Sequence, residues 1–249
     1  MTDLGMRVYG LGALALGVIG LVWGDFASVW QPVPADVPNR LMLAYLVGVT
    51  LATSGLALLW RRTAVSGALT LAILYALGVV LLHIPRVVAH PLALSPWAGV
   101  AEQTALVSGG LIALALCFDG DTRRLTRVGW IMFGLSCLVF GAVHFQYEHD
   151  TAAMVPKYLP LGGVFWARVT GIAHIAAGLA IISGIRARMA AVLLTIMFAG
   201  FGVLIHAPLL ASDFHNHLYW VMNAMNLALT GSAWVVADSL RGHTDELHP

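Results

Sequence analysis

The sequence predicts an all-α integral membrane protein of eight transmembrane helices, arranged as two parallel-repeat four-helix bundles. Three observations predict this class: an apolar composition, eight long apolar runs and an internal repeat. Of the 249 residues, 59% are hydrophobic and 10% are charged, whereas soluble domains have roughly 25% charged residues. Such a chain lacks the polar side chains that a water-exposed surface needs, so we expect a lipid bilayer around it.

The apolar runs have the length of membrane spans. A bilayer core about 30 Å thick is crossed by about 20 mainly apolar residues in a helix. We place the runs at residues 8–23, 41–60, 65–84, 99–117, 128–145, 164–182, 188–206 and 217–238. The short loops between them leave no room for a soluble domain, and we expect no nucleic-acid partner.

Basic residues are concentrated on one side of this arrangement. Nine of the 13 Lys and Arg residues fall at the N-terminus, in the even-numbered loops or at the C-terminus. Loops rich in Lys and Arg stay in the cytoplasm. The sequence therefore predicts a multi-pass protein of the inner (plasma) membrane with both termini in the cytoplasm.

The second half of the chain repeats the first at an offset of 123 residues. Rare residue types coincide without a gap: His83 with His206, Pro85 with Pro208, and Trp97 with Trp220. We predict two four-helix halves, residues 1–120 and 121–249. Because each half has an even number of helices, both halves have the same orientation in the membrane, unlike the inverted repeats of several transporters.

Ionisable residues gather on the predicted outer side of the second half. Charged groups in a bilayer are costly and indicate function by default. We predict a ligand-binding site formed by His144, Arg168, His174, Lys157 and Glu102, and we assign no catalytic residue. The alternative is that Arg168 extends to the interface while His174 bonds across a helix contact.

Four histidines predict a metal or haem site. The repeat places His83 and His206 at equal depth, and His215 and His217 follow in the next loop. Imidazole is a common ligand of Zn and Cu ions and an axial ligand of haem. As alternatives, His83 and His206 bond carbonyls freed by the nearby prolines, and His215 and His217 belong to a solvated loop.

Several segments resemble the DoxX-like membrane proteins. In the second half these are residues 140–145, Val155-Pro156, Leu159-Pro160, Trp166 and residues 170–181; in the first half they are residues 82–91 and Trp97. The resemblance covers nearly the whole chain in duplicate, although many family members have one four-helix unit. It implies a four-helix-bundle fold and a link to quinone or redox chemistry, since the family is named after a subunit of a thiosulfate:quinone oxidoreductase.

The resemblance and the polar cluster together predict a redox-associated subunit that binds a quinone or another small lipophilic ligand near the outer leaflet. A redox partner subunit belongs to this hypothesis. A membrane protein that binds haem, Cu or Zn through outer-face histidines and a non-catalytic assembly subunit are the alternatives. Whether the protein is an enzyme stays open, and the sequence has no Cys-x-x-Cys motif for a thiol relay.

Overall fold

The computed structural model describes residues 3–118 and 120–241. These ranges contain 11 α-helices, two π-helical segments and no strand. The helices are α1 Leu4–Trp23, α2 Arg40–Ala57, α3 Arg61–Gly78, α4 Ile84–Ala89, α5 Leu94–Ala115, α6 Arg123–Gln146, α7 Glu148–Met154, α8 Gly162–Ser183, α9 Ala187–Phe201, α10 Ala207–Ser212 and α11 His217–Ser239. The predicted all-α class is confirmed.

Among the described residues, seven helices are long and apolar enough to cross a membrane, counting α3 with α4 and α9 with α10 as single helices. This is the composition of a multi-pass membrane protein. Helix α11 fills the eighth predicted segment but is not one of the seven. It carries Asn223, Asn226 and Asp238, which lower its hydropathy, and it packs among α1, α5 and α9.

The helices form a closed ring with a central contact. Each packs on the next in the order α1, α2, α3, α5, α6, α8, α9 and α11, and α11 returns to α1. Helices α5 and α11 also meet across the middle of the ring. The described parts of residues 1–120 and 121–249 therefore touch along three helix pairs and share one buried core.

Small residues and hydrogen bonds join the two halves. A Cβ added to Gly231 on α11 would overlap the backbone nitrogen of Tyr9 on α1. The Ser232 hydroxyl on α11 donates to the Ala105 carbonyl on α5 over 2.6 Å, and within the first half the Tyr9 hydroxyl donates to the neighbouring Leu106 carbonyl over 2.7 Å. Close packing and interhelical hydrogen bonds are what drive helix association in lipid.

The two π-helical segments lie at matching places in the chain. They are Val79–His83 and Gly202–His206, 123 residues apart. The residue after each segment donates its N–H to the carbonyl five residues back, which adds one residue to that helical turn.

A proline explains each π-helical segment. Pro85 and Pro208 follow two residues after the end of the segment. A proline has no N–H, and its ring clashes with the carbonyl four residues earlier in a regular helix. The wider turn accommodates the proline, and the helices continue to Ala89 and Ser212, beyond the predicted ends at residues 84 and 206.

Candidate functional site

A cavity of about 250 Å³ lies where α5, α6, α8, α9 and α11 face one another. We call it the histidine cavity. Its polar lining consists of Trp30, Glu102, His144, His174, His206 and Asn226. The remaining lining is apolar, mostly Phe and Met side chains. The volume is slightly below the roughly 300–1,000 Å³ typical of small-molecule sites, so the cavity suits one small ring with a few polar substituents.

Another groove is larger but has fewer polar side chains in its lining. It lies between α8 and α9 with a volume of about 340 Å³, and its described lining is apolar apart from Arg186. Ligand orientation in a binding site is fixed by a few convergent polar groups. The histidine cavity offers these groups, and the groove does not.

Glycines place His174 beside His144. A Cβ on Gly178 of α8 would lie 2.6 Å from the Gly134 carbonyl oxygen of α6, and a Cβ on Gly171 would lie 3.0 Å from the Cβ of His144. The α8 face formed by Gly171, His174 and Gly178 is therefore the face that packs on α6. His174 is 1% exposed, and its ring centroid lies 5.1 Å from that of His144.

Aromatic rings surround the His174 imidazole. Ring centroids of Phe140, Phe198 and Phe201 lie 5.5, 5.4 and 6.5 Å from its own. Its Nδ1 atom is buried and has no hydrogen-bond partner among the described residues. Leaving a buried polar atom unpaired costs about 1–3 kcal/mol. A ligand group that bonded Nδ1 would remove this cost.

The other polar groups define what the cavity can donate and accept. His144 Nδ1 lies 2.8 Å from the Phe140 carbonyl oxygen; since a carbonyl only accepts, Nδ1 carries the proton and Nε2 of the neutral ring accepts. His206 Nδ1 and Trp30 Nε1 are buried without a partner in the described part of the chain. The Trp30 indole lies near the Glu102 side chain, but its Nε1 has no acceptor in hydrogen-bond geometry among the described residues, and its N–H can only donate.

The His83 imidazole is held by contacts outside the histidine cavity. Its Nε2 lies 3.0 Å from the Trp30 carbonyl oxygen, which also accepts a hydrogen bond from Gln103 Nε2 over 2.9 Å. Its Nδ1 faces Gly99 so closely that a Cβ there would overlap the ring. Nε2 thus has a protein hydrogen-bond partner and Nδ1 packs on Gly99, and the carbonyl that His83 bonds belongs to the loop after α1, not to its own helix.

The four histidines predicted to bind metal lie in separate surroundings. His206 lines the histidine cavity, and His217 stacks on Trp23 with ring centroids 5.1 Å apart. His215 is exposed. Within residues 3–118 and 120–241, no three side chains among His, Cys, Asp and Glu are grouped in a way that could hold a metal ion.

Arg168 and Lys157 lie outside the lining of the cavity. Arg168 is 60% exposed and forms a two-pronged ion pair with Glu148, at 2.5 and 3.1 Å. The hydrogen bond from Arg168 lowers the pKa of Glu148 below its usual value. The pair ties α7 to α8, and Met154 at the end of α7 lines the cavity. Lys157 is exposed in the loop that follows.

The structure thus brings Glu102, His144 and His174 together and adds His206 from the predicted metal set. Sequence reasoning missed Trp30 and Asn226. The sequence does contain a signal for Asn226, because it follows Gln103 by 123 residues and both are amides on helices of membrane-span length. The sequence contains no such signal for Trp30, because this residue lies in the loop between α1 and α2 and only the folded structure brings it to the cavity.

The fold and the cavity define the class of this protein: an all-α chain of membrane-protein composition with a largely apolar cavity, lined by a few polar side chains, between helices of both halves. Searches against protein families, curated proteins and solved structures found no match.

Proposed function

We propose that this chain is a redox-associated membrane subunit that binds a quinone or another small lipophilic molecule in the histidine cavity. One observation carries the proposal: Trp30 Nε1, His174 Nδ1 and His206 Nδ1 are buried and have no hydrogen-bond partner among the described residues, and all three residues line the same cavity. Each such atom costs free energy in the folded protein. Three of them around one largely apolar space indicate a bound molecule with polar groups on a small apolar frame.

A quinone head group has the required chemistry. Its flat ring matches an aromatic lining, and rings stack or meet edge to face at about 4.5–7 Å between centroids. Its carbonyl oxygens would accept hydrogen bonds from Trp30 Nε1–H and from an imidazole N–H. The reduced form carries hydroxyl groups, which would donate to His144 Nε2. Glu102 and the imidazoles are side chains suited to exchange protons with such a ligand, while electrons would come from a redox partner subunit.

We further infer eight spans in two parallel repeats, residues 1–120 and 121–249, similar to a duplicated DoxX-like unit. The 123-residue spacing of the π-helical segments supports the repeat. So does a shared hydrogen bond: Trp97 Nε1 donates to the Pro91 carbonyl over 3.1 Å, and Trp220 Nε1 donates to the Phe214 carbonyl over 2.9 Å. Helix α11 has 23 residues, or about 35 Å at 1.5 Å per residue, enough to cross the bilayer core.

Charge placement supports an orientation in the inner membrane with cytoplasmic termini. Helices α3 and α6 begin with Arg61 and Arg123, and α9 follows Arg186. These helices therefore enter the membrane from the side that carries most basic residues. His144 lies near the opposite end of α6, and His206 ends the π-helical segment that follows α9. In this orientation, the histidine cavity opens toward the outer leaflet.

Binding of a short-chain ubiquinone to the detergent-purified protein tests the proposal. Tryptophan fluorescence would be recorded as the quinone is added, with Trp30 as the reporter in the cavity. His174→Leu removes the unpartnered nitrogen, and leucine stands at residue 51, its counterpart in the proposed repeat. We expect this change to raise Kd at least about tenfold, which corresponds to about 1.4 kcal/mol. His215→Gln, in an exposed loop, is the matched control.

Two outcomes contradict the proposal. One is an absence of saturable quenching in the unchanged protein. The other is an equal Kd for His174→Leu and His215→Gln. Either would leave the non-catalytic assembly subunit as the better hypothesis.

A further inference from the structure

A second cavity lies in the first half of the chain, between α2, α3, α5 and the loop after α1. Its volume is about 460 Å³, and among the described residues its lining includes no charged side chain. We call it the tyrosine cavity; the residues that matter here are Trp30, Tyr75, Gly78, Leu81 and Gln103. Most of the remaining lining is aliphatic, so the cavity suits a hydrocarbon.

The hydroxyl of Tyr75 is unpaired in this cavity. Tyr75 is 3% exposed, and its oxygen has no hydrogen-bond partner within the described residues. The neighbouring Tyr9, with its ring centroid 6.4 Å away, does donate, to the Leu106 carbonyl. The packing of this region therefore satisfies one buried tyrosine and leaves the other without a partner.

Gln103 supplies an acceptor in the same cavity. Its Nε2 donates to the Trp30 carbonyl over 2.9 Å, which fixes the amide and directs Oε1 away from that bond. A Cβ on Gly78, another lining residue, would lie 3.6 Å from Oε1. The cavity thus offers the Tyr75 hydroxyl as a donor and the Gln103 amide as an acceptor, while the Oε1 of the other lining amide, Gln31, already accepts from the Ala27 N–H.

The two cavities occupy corresponding positions in the chain. Tyr75, Gly78 and Gln103 precede Phe198, Phe201 and Asn226 by 123 residues, and those three line the histidine cavity. Trp30 lines both cavities. At one of these positions the first half has a much smaller residue, Gly78 in place of Phe201, and its cavity is the larger of the two.

We propose that the tyrosine cavity binds a neutral aliphatic alcohol, a long hydrocarbon chain with one hydroxyl group. Tyr75 donates to the oxygen of that hydroxyl, which in turn donates to Gln103 Oε1. A carboxylate or phosphate is disfavoured, because a charge buried without a partner is far more costly than a paired hydroxyl. Leu77 and Leu81 are 47% and 64% exposed on the outside of the helix ring, so the chain can enter from the lipid.

Photolabelling of the full-length protein in lipid nanodiscs tests this inference. The probe is hexadecanol that carries a diazirine in its chain, and mass spectrometry locates the labelled peptides. We expect label in the segment Leu74–Leu82, displaced by plain hexadecanol. Hexadecanoate is tested at about pH 8.5, where a carboxyl group is ionised. We expect the same displacement to require a concentration of hexadecanoate at least about tenfold higher than that of hexadecanol.

Variants separate the cavity from general lipid contact. Tyr75→Phe removes only the hydroxyl, and we expect it to weaken displacement by hexadecanol about tenfold. Gly78→Leu fills the cavity and should abolish the label. Tyr158→Phe, an exposed loop tyrosine, and His174→Leu in the histidine cavity should both label like the unchanged protein.

Three results would overturn the inference. The first is label spread evenly over the lipid-facing helices. The second is equal displacement by hexadecanol and hexadecanoate. The third is a Tyr75→Phe protein that binds the probe as well as the Tyr158→Phe control does.

Discussion

His83 and His206 end the two π-helical segments 123 residues apart, and only His83 has its imidazole bonded to a described protein group. Its Nε2 lies 3.0 Å from the Trp30 carbonyl oxygen, whereas His206 Nδ1 is buried in the histidine cavity without a partner in that part of the chain. The same residue type at corresponding positions thus has two roles: one histidine fixes a loop, and the other faces a ligand site.

Replacing each histidine by leucine should separate these roles. His83→Leu removes one of the two donors to the Trp30 carbonyl, so we expect the free energy of unfolding to fall by about 1–3 kcal/mol. His206→Leu removes a polar atom that is unpaired, so we expect no loss of stability or a small gain. Thermal unfolding in detergent, followed by circular dichroism, measures both. Equal losses in the two variants would contradict this interpretation of His83.

The contact between α1 and α11 should tolerate no side chain at Gly231. Gly231→Ala places a methyl group on the backbone of Tyr9, which forces the helices apart, so we expect little folded protein by size-exclusion chromatography. Gly200→Ala is the matched control, because a Cβ there meets nothing within 4 Å. In a helix interior that change should stabilise by roughly 0.5–1 kcal/mol. Normal folding of Gly231→Ala would show that α1 and α11 pack differently.

The helices could be located from sequence because apolar runs of span length are rare outside membrane proteins. Each of the eight predicted runs coincides with a helix for most of its length. Two features of the fold were not predicted from the sequence. The extension to Ala89 depends on a π-helical turn at Pro85, which hydropathy does not report. Helix α7 has seven residues, three of them ionisable, and its position depends on packing against α8 rather than on its own sequence.

The candidate site was predicted in part. Polar side chains are costly in lipid, and this cost predicted a site at Glu102, His144 and His174. These three residues do line one cavity. The same reasoning chose Arg168, whose charge instead pairs with Glu148 at the surface. Sequence position gives depth along a helix but not the direction that a side chain takes from it, and for Arg168 the direction decides the role.

The ion pair of Glu148 with Arg168 should make the anchoring of α7 depend on pH. Arg168 lowers the pKa of Glu148 from its usual 4.5. A carboxyl group with a lowered folded-state pKa stabilises above its unfolded pKa, and this contribution is lost as the pH falls through the folded value. We therefore expect amide hydrogen exchange in α7, corrected for intrinsic rates, to rise only below pH 4.5.

Two variants test the origin of that effect. Glu148→Gln should show fast α7 exchange at neutral pH and little further change in acid. Asp150→Asn changes a residue of the same short helix, and α7 in this variant should exchange as it does in the unchanged protein. If all three proteins exchange alike across this range, the ion pair does not hold α7 in place.

The proposed orientation predicts the outcome of reporter fusions. Alkaline phosphatase is active only outside the cytoplasm, so a fusion after Arg241 should be inactive and one after Lys157 should be active. The reason is the concentration of Arg residues on the side of the chain ends. The opposite pattern would reverse the membrane orientation and place the histidine cavity toward the inner leaflet.

The ring of helices bears on how such a protein could arise. The first helix of each proposed half, α1 or α6, packs on the last helix of the other, α11 or α5. A separate four-helix unit built this way would leave those surfaces uncovered and would pair with a second copy about a two-fold axis. Such a homodimer has two identical cavities by symmetry. Fusing the copies into one polypeptide removes that constraint, which allows one half to carry His174 where the other half has Leu51.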